Sequence, residues 1–402
     1  MIIKPARRTS GVQEYYFSRK QKDLDAVNAR LKESGDRLIN LGIGAPDGMP
    51  PQGAIDALVE TARTPGNHAY QNYKGLPAFR QAIADWYSRY YGVTLNPNGG
   101  IQPLVGSKEG ILLISMAYVN PGDKVLVPDP GYPTYTSASN LVEAEVLTYD
   151  LKEENGFWPD FDALEAMDLE GVKIMWVNYP NMPTGAKATP ELYQRLVDFA
   201  LKHRILLVND NPYSFILTDK PVSMLAAKGA EECCLELNSL SKAHNMSGWR
   251  IGMVCGSPEL ISEVLKVKSQ MDSGMFKALQ LAAVGALAEG PEWFEALNAE
   301  YSRRRLAAGR IFDRLGARYN PDTAGLFLWG RVPEKYACDG MTAGEALSER
   351  ILHEAGVFIT PGFIFGKNGE NYIRASLCAK PEVMEEALGK IEKAIDRILQ
   401  PW

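Results

Sequence analysis

The middle of the chain alternates short apolar runs with stretches of helical periodicity. Lys124-Val-Leu-Val-Pro128, Lys173-Ile-Met-Trp-Val177, Ile205-Leu-Leu-Val-Asn-Asp210 and Cys234-Leu-Glu-Leu-Asn238 are brief, apolar and rich in branched residues, the pattern of buried strands. Between them, Leu192, Leu196, Val197 and Phe199 recur at helical spacing and predict an amphipathic helix over 190–200. Strands alternating with helices imply a mainly parallel sheet covered on both faces. Ligands of such sheets lie beyond the carboxyl ends of the strands. The segments 128–132, 178–181, Asp210 and 239–242 all stand there. After about residue 285 the pattern changes to long helices, with Arg303, Arg304 and Arg305 expected on solvated faces. Residues 325–329 and 372–377 then read as a small sheet. The expected architecture is α/β. A large doubly wound, mainly parallel-sheet domain spans 47–287, and a smaller α+β domain is built from 1–46 and 288–402.

Composition narrows the class. With 402 residues, 46% hydrophobic and 23% charged, the chain can bury one large core or two and has an ordinary globular balance. A net charge of -6 argues against nucleic acid as a partner. The apolar run 111–119 is far shorter than the ~18 residues of a membrane span, so no membrane partner is expected. The N-terminus is too charged for a signal peptide. Five cysteines, two of them adjacent (Cys233 and Cys234), fit neither a zinc site nor a disulfide framework and suggest a reducing compartment. A cytoplasmic protein is expected. His68, His203, His244 and His353 show no ligand spacing, so no metal is expected.

The most informative string is Ser239-Leu-Ser241-Lys242-Ala-His-Asn-Met-Ser-Gly-Trp-Arg250-Ile-Gly252. It sets a lysine, two hydroxyls and an arginine close behind an apolar strand. A lysine amine can condense with a carbonyl, and burial among cations lowers its pKa toward neutrality. Hydroxyls and an arginine fork can grip a phosphate. Gly106-Ser107-Lys108-Glu109-Gly110 opens a helical run, where free N–H groups and the helix dipole favour an anion, although a serine N-cap explains Ser107 equally well. Asp210 ends an apolar strand, a costly place for a carboxylate unless it is paired. Arg374, inside another apolar strand, requires an anion too.

Together these strings resemble the class I/II aminotransferases, fold-type I enzymes that use pyridoxal 5'-phosphate (PLP). The resemblance runs from Gly44 to Arg374 in the family's order. It implies that Lys242 holds PLP as a Schiff base and shuttles protons, and that Asp210 pairs with the pyridine nitrogen. Tyr213 would donate to the ring phenolate oxygen, and Tyr132 would stack on the ring. Ser107, Lys108, Ser239, Ser241 and Arg250 would bind the phosphate end, joined by Tyr70 reaching across a homodimer. Gly44 and Arg374 would receive the substrate carboxylate. One element departs from the family pattern. Where the family carries Asn-Pro-Thr-Gly, this chain has Asn181-Met182-Pro183-Thr184-Gly185, and methionine cannot donate a hydrogen bond. Either Asn181 or Asn178 reaches the ring, or Tyr213 serves alone and the Schiff base titrates higher. The function implied is amino transfer from an α-amino acid to a 2-oxo acid. A β C–S lyase of the same fold is the alternative. Tyr15, Tyr16, Lys74, Lys108 and residues 271–275 are candidates for reading the substrate side chain.

Overall fold

The computed structural model describes residues 2–12, 14, 16–338 and 340–400, and Tyr15 lies outside them. The central sheet contains β1 (Ile101–Leu104), β2 (Lys124–Asp129), β3 (Glu145–Asp150), β4 (Val172–Val177), β5 (Leu206–Asp210), β6 (Cys234–Ser239) and β7 (Gly252–Gly256). Their order is β1-β7-β6-β5-β4-β2-β3. Neighbours run parallel except at β7, which is antiparallel to both β1 and β6. The mainly parallel α/β sheet expected from the alternation is therefore present.

The four strands read from the sequence are the apolar ones at the centre. The three not anticipated lack a continuous apolar run. β1 carries Pro103, tolerated because the strand lies at an edge. β3, at the other edge, is largely solvated. β7 opens and closes on glycine, and a Cβ at Gly252 would come within 2.6 Å of Ser107 N.

Helices cover both faces. In chain order the principal ones are α1 (Tyr16–Glu33), α2 (Ser107–Tyr118), α3 (Pro133–Leu141), α4 (Pro190–His203), α5 (Pro258–Met271), α6 (Pro291–Leu315), α7 (Ala343–Ala355) and α8 (Pro381–Leu399). α4 starts where Thr189 caps it by accepting from Leu192 N with Pro190 in the first turn, and it ends at Arg204 in the left-handed conformation. Its Leu192, Leu196 and Val197 pack with Met175 and Leu207 on one face of the sheet. Ile111 and Ile114 of α2 and Ile261 and Val264 of α5 pack with Ile174 and Val208 on the other.

A second, antiparallel sheet contains β8 (Arg318–Tyr319), β9 (Phe327–Arg331), β10 (Thr360–Pro361) and β11 (Tyr372–Ser376) in the order β10-β11-β9-β8. Its core is shared with apolar residues of α6, α7 and α8, such as Phe312, Leu347 and Ile391. The N-terminal segment joins this part through a parallel pairing of Ile39 with Val357 and Asn40 with Phe358. Among the described residues no helix is long and apolar enough to cross a membrane.

One expectation needs correction. Arg304 is not on a solvated face: it is buried, pairing with Asp47 at 2.7 Å and Glu300 at 2.8 Å, while Arg303 remains exposed. Successive residues of α6 lie ~100° apart around its axis, so three consecutive arginines cannot share one face. His244, which shows no ligand spacing, is enclosed in the core. It is 1% exposed, lies between the Trp86 and Phe294 rings, and neither ring nitrogen has a hydrogen-bond partner among the described residues.

Burial lowers the His244 pKa from 6.5 to about 3. Between those values the unfolded chain binds a proton that the folded chain refuses, so stability is lost as pH falls from 6.5. Replacing His244 with leucine is expected to narrow the difference in urea-unfolding free energy between pH 7 and pH 5 by about 2 kcal/mol. An unchanged difference would contradict a neutral buried imidazole.

Candidate active site

The carboxyl ends of β2, β4, β5 and β6 converge with the start of α2 on a cavity of about 420 Å³. Lys242 follows β6 after a short turn in which Ser241 N donates to Ser239 Oγ at 3.0 Å. Its Nζ donates to the carbonyl oxygen of Gly44 at 2.6 Å. Burial lowers the lysine pKa below its usual 10.5, and the Arg374 and Arg250 charges add to the effect against Cys378 and Asp210. An amine so placed is closer to its neutral, nucleophilic form at ordinary pH.

Asp210 ends β5 and is 6% exposed. Its Oδ2 accepts from Tyr135 Oη at 3.0 Å, whereas Oδ1 is buried without a hydrogen-bond partner. Burial lifts the carboxyl pKa to about 6, opposed by the Tyr135 hydrogen bond and by Lys242. Tyr135 was not anticipated. It is held by α3 and by stacking on Trp176, with ring centroids 5.1 Å apart and planes 5° from parallel. Its signal was available three residues past Tyr132: a tyrosine in an apolar helix start needs a buried partner for its hydroxyl.

The opposite end of the cavity is an anion cradle. α2 begins at Ser107, after Gly106 at φ 78°, where a Cβ would collide with Arg250 Nη2. Ser239 Oγ donates to Ser241 Oγ at 2.7 Å, and Arg250 Nη1 reaches Ser247 O at 2.7 Å and Ser241 Oγ at 3.4 Å. Ser107, Ser239, Ser241 and Arg250 all line the cavity, so hydroxyls, helix N–H groups and a guanidinium face one point. Lys108 lines it as well, 5.9 Å from the centre of the Tyr132 ring.

Arg374, on β11, closes the cavity from the second sheet and is 4% exposed. Its Nη2 donates to Gly42 O at 2.9 Å and its Nη1 to the Met182 sulfur at 3.2 Å. The guanidinium carbon lies 3.9 Å from the centre of the Phe327 ring and 4.6 Å from that of Phe365. Phe327 also explains Gly44, because a Cβ there would strike that ring. Phe17 completes this aromatic wall, which sequence reasoning did not locate.

The turn 178–185 carries Asn178, Asn181 and Met182. Asn181 is spent inside the turn, with Oδ1 accepting from Thr184 N and Oγ1 and Nδ2 donating to Asn178 O. It does not line the cavity, against the expectation that it binds the cofactor. Asn178 does line it, but its amide donates to Asp210 O and accepts from Met182 N. Met182 and Tyr213 face the cavity directly. Tyr70 does not belong to this cavity and is 91% exposed. Away from the site, Asp23, Glu349 and His353 gather, but Lys20 Nζ already sits 2.5 Å from both carboxylates.

The chain matches the model of "Aminotransferase class I and II" over residues 36–391. The chain belongs to the class I and II aminotransferases. Among curated relatives, the LL-diaminopimelate aminotransferase of Moorella thermoacetica is 40% identical over 98% of this chain and 100% of its own. That of Aquifex aeolicus is 40% identical over 92% and 95%. Substrate-bound BacF from Bacillus subtilis superposes with a TM-score of 0.89 at 35% identity, covering 98% of each chain. A mutant aspartate aminotransferase of Thermus thermophilus gives 0.87 at 27% identity, over 99% and 100%.

The protein is thus a PLP-dependent aminotransferase, and its residues fit that cofactor. The unsatisfied Asp210 oxygen suits a protonated ring nitrogen, the Ser107–Arg250 cradle suits a phosphate, and the Lys242 amine lines the same cavity. In the aminotransferase, removing the Tyr135 hydroxyl raises the Asp210 pKa further. Tyr135→Phe is therefore expected to shift the acid limb of PLP binding to the apoenzyme up by about half to one pH unit. Met182→Asn offers the ring oxygen a second donor, so the visible band of the bound cofactor should titrate at lower pH. Absorbance titration of the holoenzyme checks this, and a band that titrates at or above the original pH would exclude the effect.

Proposed function

We propose that this aminotransferase takes LL-diaminopimelate as amino donor and a 2-oxo acid as acceptor. The observation that carries the reading is end-to-end similarity at about 40% identity to enzymes of that name. The geometry supports a long donor. The inner cavity shares Phe17, Lys108, Tyr132, Arg250 and Phe365 with an outer chamber of about 890 Å³, which also holds Glu14, Arg19 and Glu109. A donor with an amino-acid group at each end can set one carboxylate on Arg374 and extend the other end among these charges. The aromatic wall of Phe17, Phe327 and Phe365 favours a second reading, an apolar or aromatic donor.

PLP, when bound, supplies an electron sink for the substrate α-carbon. Lys242 Nζ would take up the substrate α-proton and release it again, and its depressed pKa suits it to both directions. Asp210 would hold the ring-nitrogen proton, and Tyr213 would donate to the ring oxygen. Ser107, Ser239, Ser241 and Arg250 would grip the phosphate. Arg374 orients the carboxylate, and the Phe327 and Phe365 rings exclude water around it.

We further propose a division into 47–287 and 1–46 with 288–402, a cytoplasmic location, and a homodimer in which Tyr70 serves the neighbouring site. The exposed apolar side chains of Met49, Tyr70, Tyr73, Val105 and Met271 support the dimer.

A panel of amino donors, scored by loss of the visible cofactor band in the absence of acceptor, tests the substrate. LL-diaminopimelate should convert the cofactor stoichiometrically, and conversion only by aromatic donors would establish the second reading. Pyruvate and ammonia released without acceptor would mark a lyase, for which the curated relatives named above lend no support. Lys242→Ala should lower turnover by at least about a thousandfold while the chain still folds.

A further inference from the structure

Among the described residues, Lys268 is a buried ammonium that the reaction does not use. It lies on α5 and is 3% exposed. A buried ammonium is tolerated only when paired, and this one meets two carboxylates, Glu109 Oε1 at 2.8 Å and Asp272.

Each carboxylate holds a different backbone segment. Glu109 Oε2 accepts from Val105 N at 2.7 Å, so the first turn of α2 reaches back over the junction that contains Gly106. That junction turns on Gly106, which stands at φ 78°, a conformation that side chains rarely adopt and that glycine accepts without strain. Asp272 Oδ1 accepts from Gly274 N at 2.9 Å. Gly274, at φ 92°, lies so close to Gln71 O and Asn72 O that a Cβ would strike both, which seats the 272–274 loop on the segment bearing Tyr70.

We propose that Lys268 is a positioning residue for the phosphate end of the site. Through Glu109 it fixes the turn that presents the α2 N–H groups and Ser107, and through Asp272 it fixes the segment that offers Tyr70 to a neighbouring subunit. Donors aimed at an anion bind strongly only when held in one arrangement. Without the ammonium, Glu109 loses its charged partner and turns to solvent, which frees Val105 N–H and the turn with it. The Asp272 arm rests on the homodimer reading given above, and the Glu109 arm does not.

The test compares PLP with pyridoxal, which has the aldehyde and ring but no phosphate, in equilibrium binding to the apoenzyme. Lys268→Met should weaken PLP about tenfold or more and leave pyridoxal within about twofold. Lys268→Arg should restore most of the loss. Glu109→Gln, which preserves the fold with less disturbance, should reproduce it. Asp272→Asn should lower PLP affinity in the parent and have no further effect beside Tyr70→Phe. Equal weakening of PLP and pyridoxal in Lys268→Met and Glu109→Gln, or no weakening of either, would overturn the proposal. A parent enzyme that sediments as a monomer would overturn the dimer reading and the Asp272 arm together. The Glu109 arm would still be decided by Glu109→Gln.

Discussion

The site depends on one carboxylate that the fold deliberately leaves half-satisfied. Asp210 occupies the carboxyl end of a strand buried on both faces, where an ion without partners is expensive. The protein supplies a single hydrogen bond, from Tyr135, and leaves the second oxygen for a cation that comes from outside. Its neighbour in the strand, Asn209, points to the opposite face and shows the contrast. There Asn209 Nδ2 reaches Tyr193 Oη and Glu236 Oε2, and Glu236 also accepts from Tyr87, Ser223 and Met224 N. A saturated polar network braces one face of the strand end, and an unsaturated carboxylate faces the cavity from the other.

The arrangement around it follows from sheet order. β7 enters antiparallel between β1 and β6, which brings Arg250, just before β7, beside the Gly106 turn just after β1. Glycine at 106 and at 252 lets these segments touch, so guanidinium and helix start converge without intervening side chains. Arg374 arrives from the second sheet and Gly44 from the N-terminal segment, whose Ile39 and Asn40 pair with Val357 and Phe358 just before β10, so both parts of the fold complete the cavity.

Much of this was legible along the chain because the chemistry sits where strands end. Lys242, Asp210 and Arg374 are charges set against apolar runs, and such contradictions stand out in one dimension. Tyr135 did not stand out, because its role depends on a stacking partner, Trp176, forty-one positions away. The surroundings of Asn181 were hidden for a related reason: an asparagine amide can serve a ligand or its own turn, and only the closed turn reveals that Asn178 O accepts from its Nδ2. Arg304 was misplaced because its partner Asp47 lies in a distant segment. The flanking strands escaped notice because edge position and glycine content remove the apolar signature that marks central ones.

The guanidinium of Arg374 has an environment unlike that of the other charges in the cavity. Aromatic faces hold it on two sides, and backbone and thioether acceptors hold it at its tips. Arginine keeps its charge across the whole working range of an enzyme. The proposed carboxylate clamp is therefore constant while the lysine and the ring partner respond to acidity. Recognition and proton transfer are assigned to different kinds of ion, so the acidity of the medium can tune the second without loosening the first.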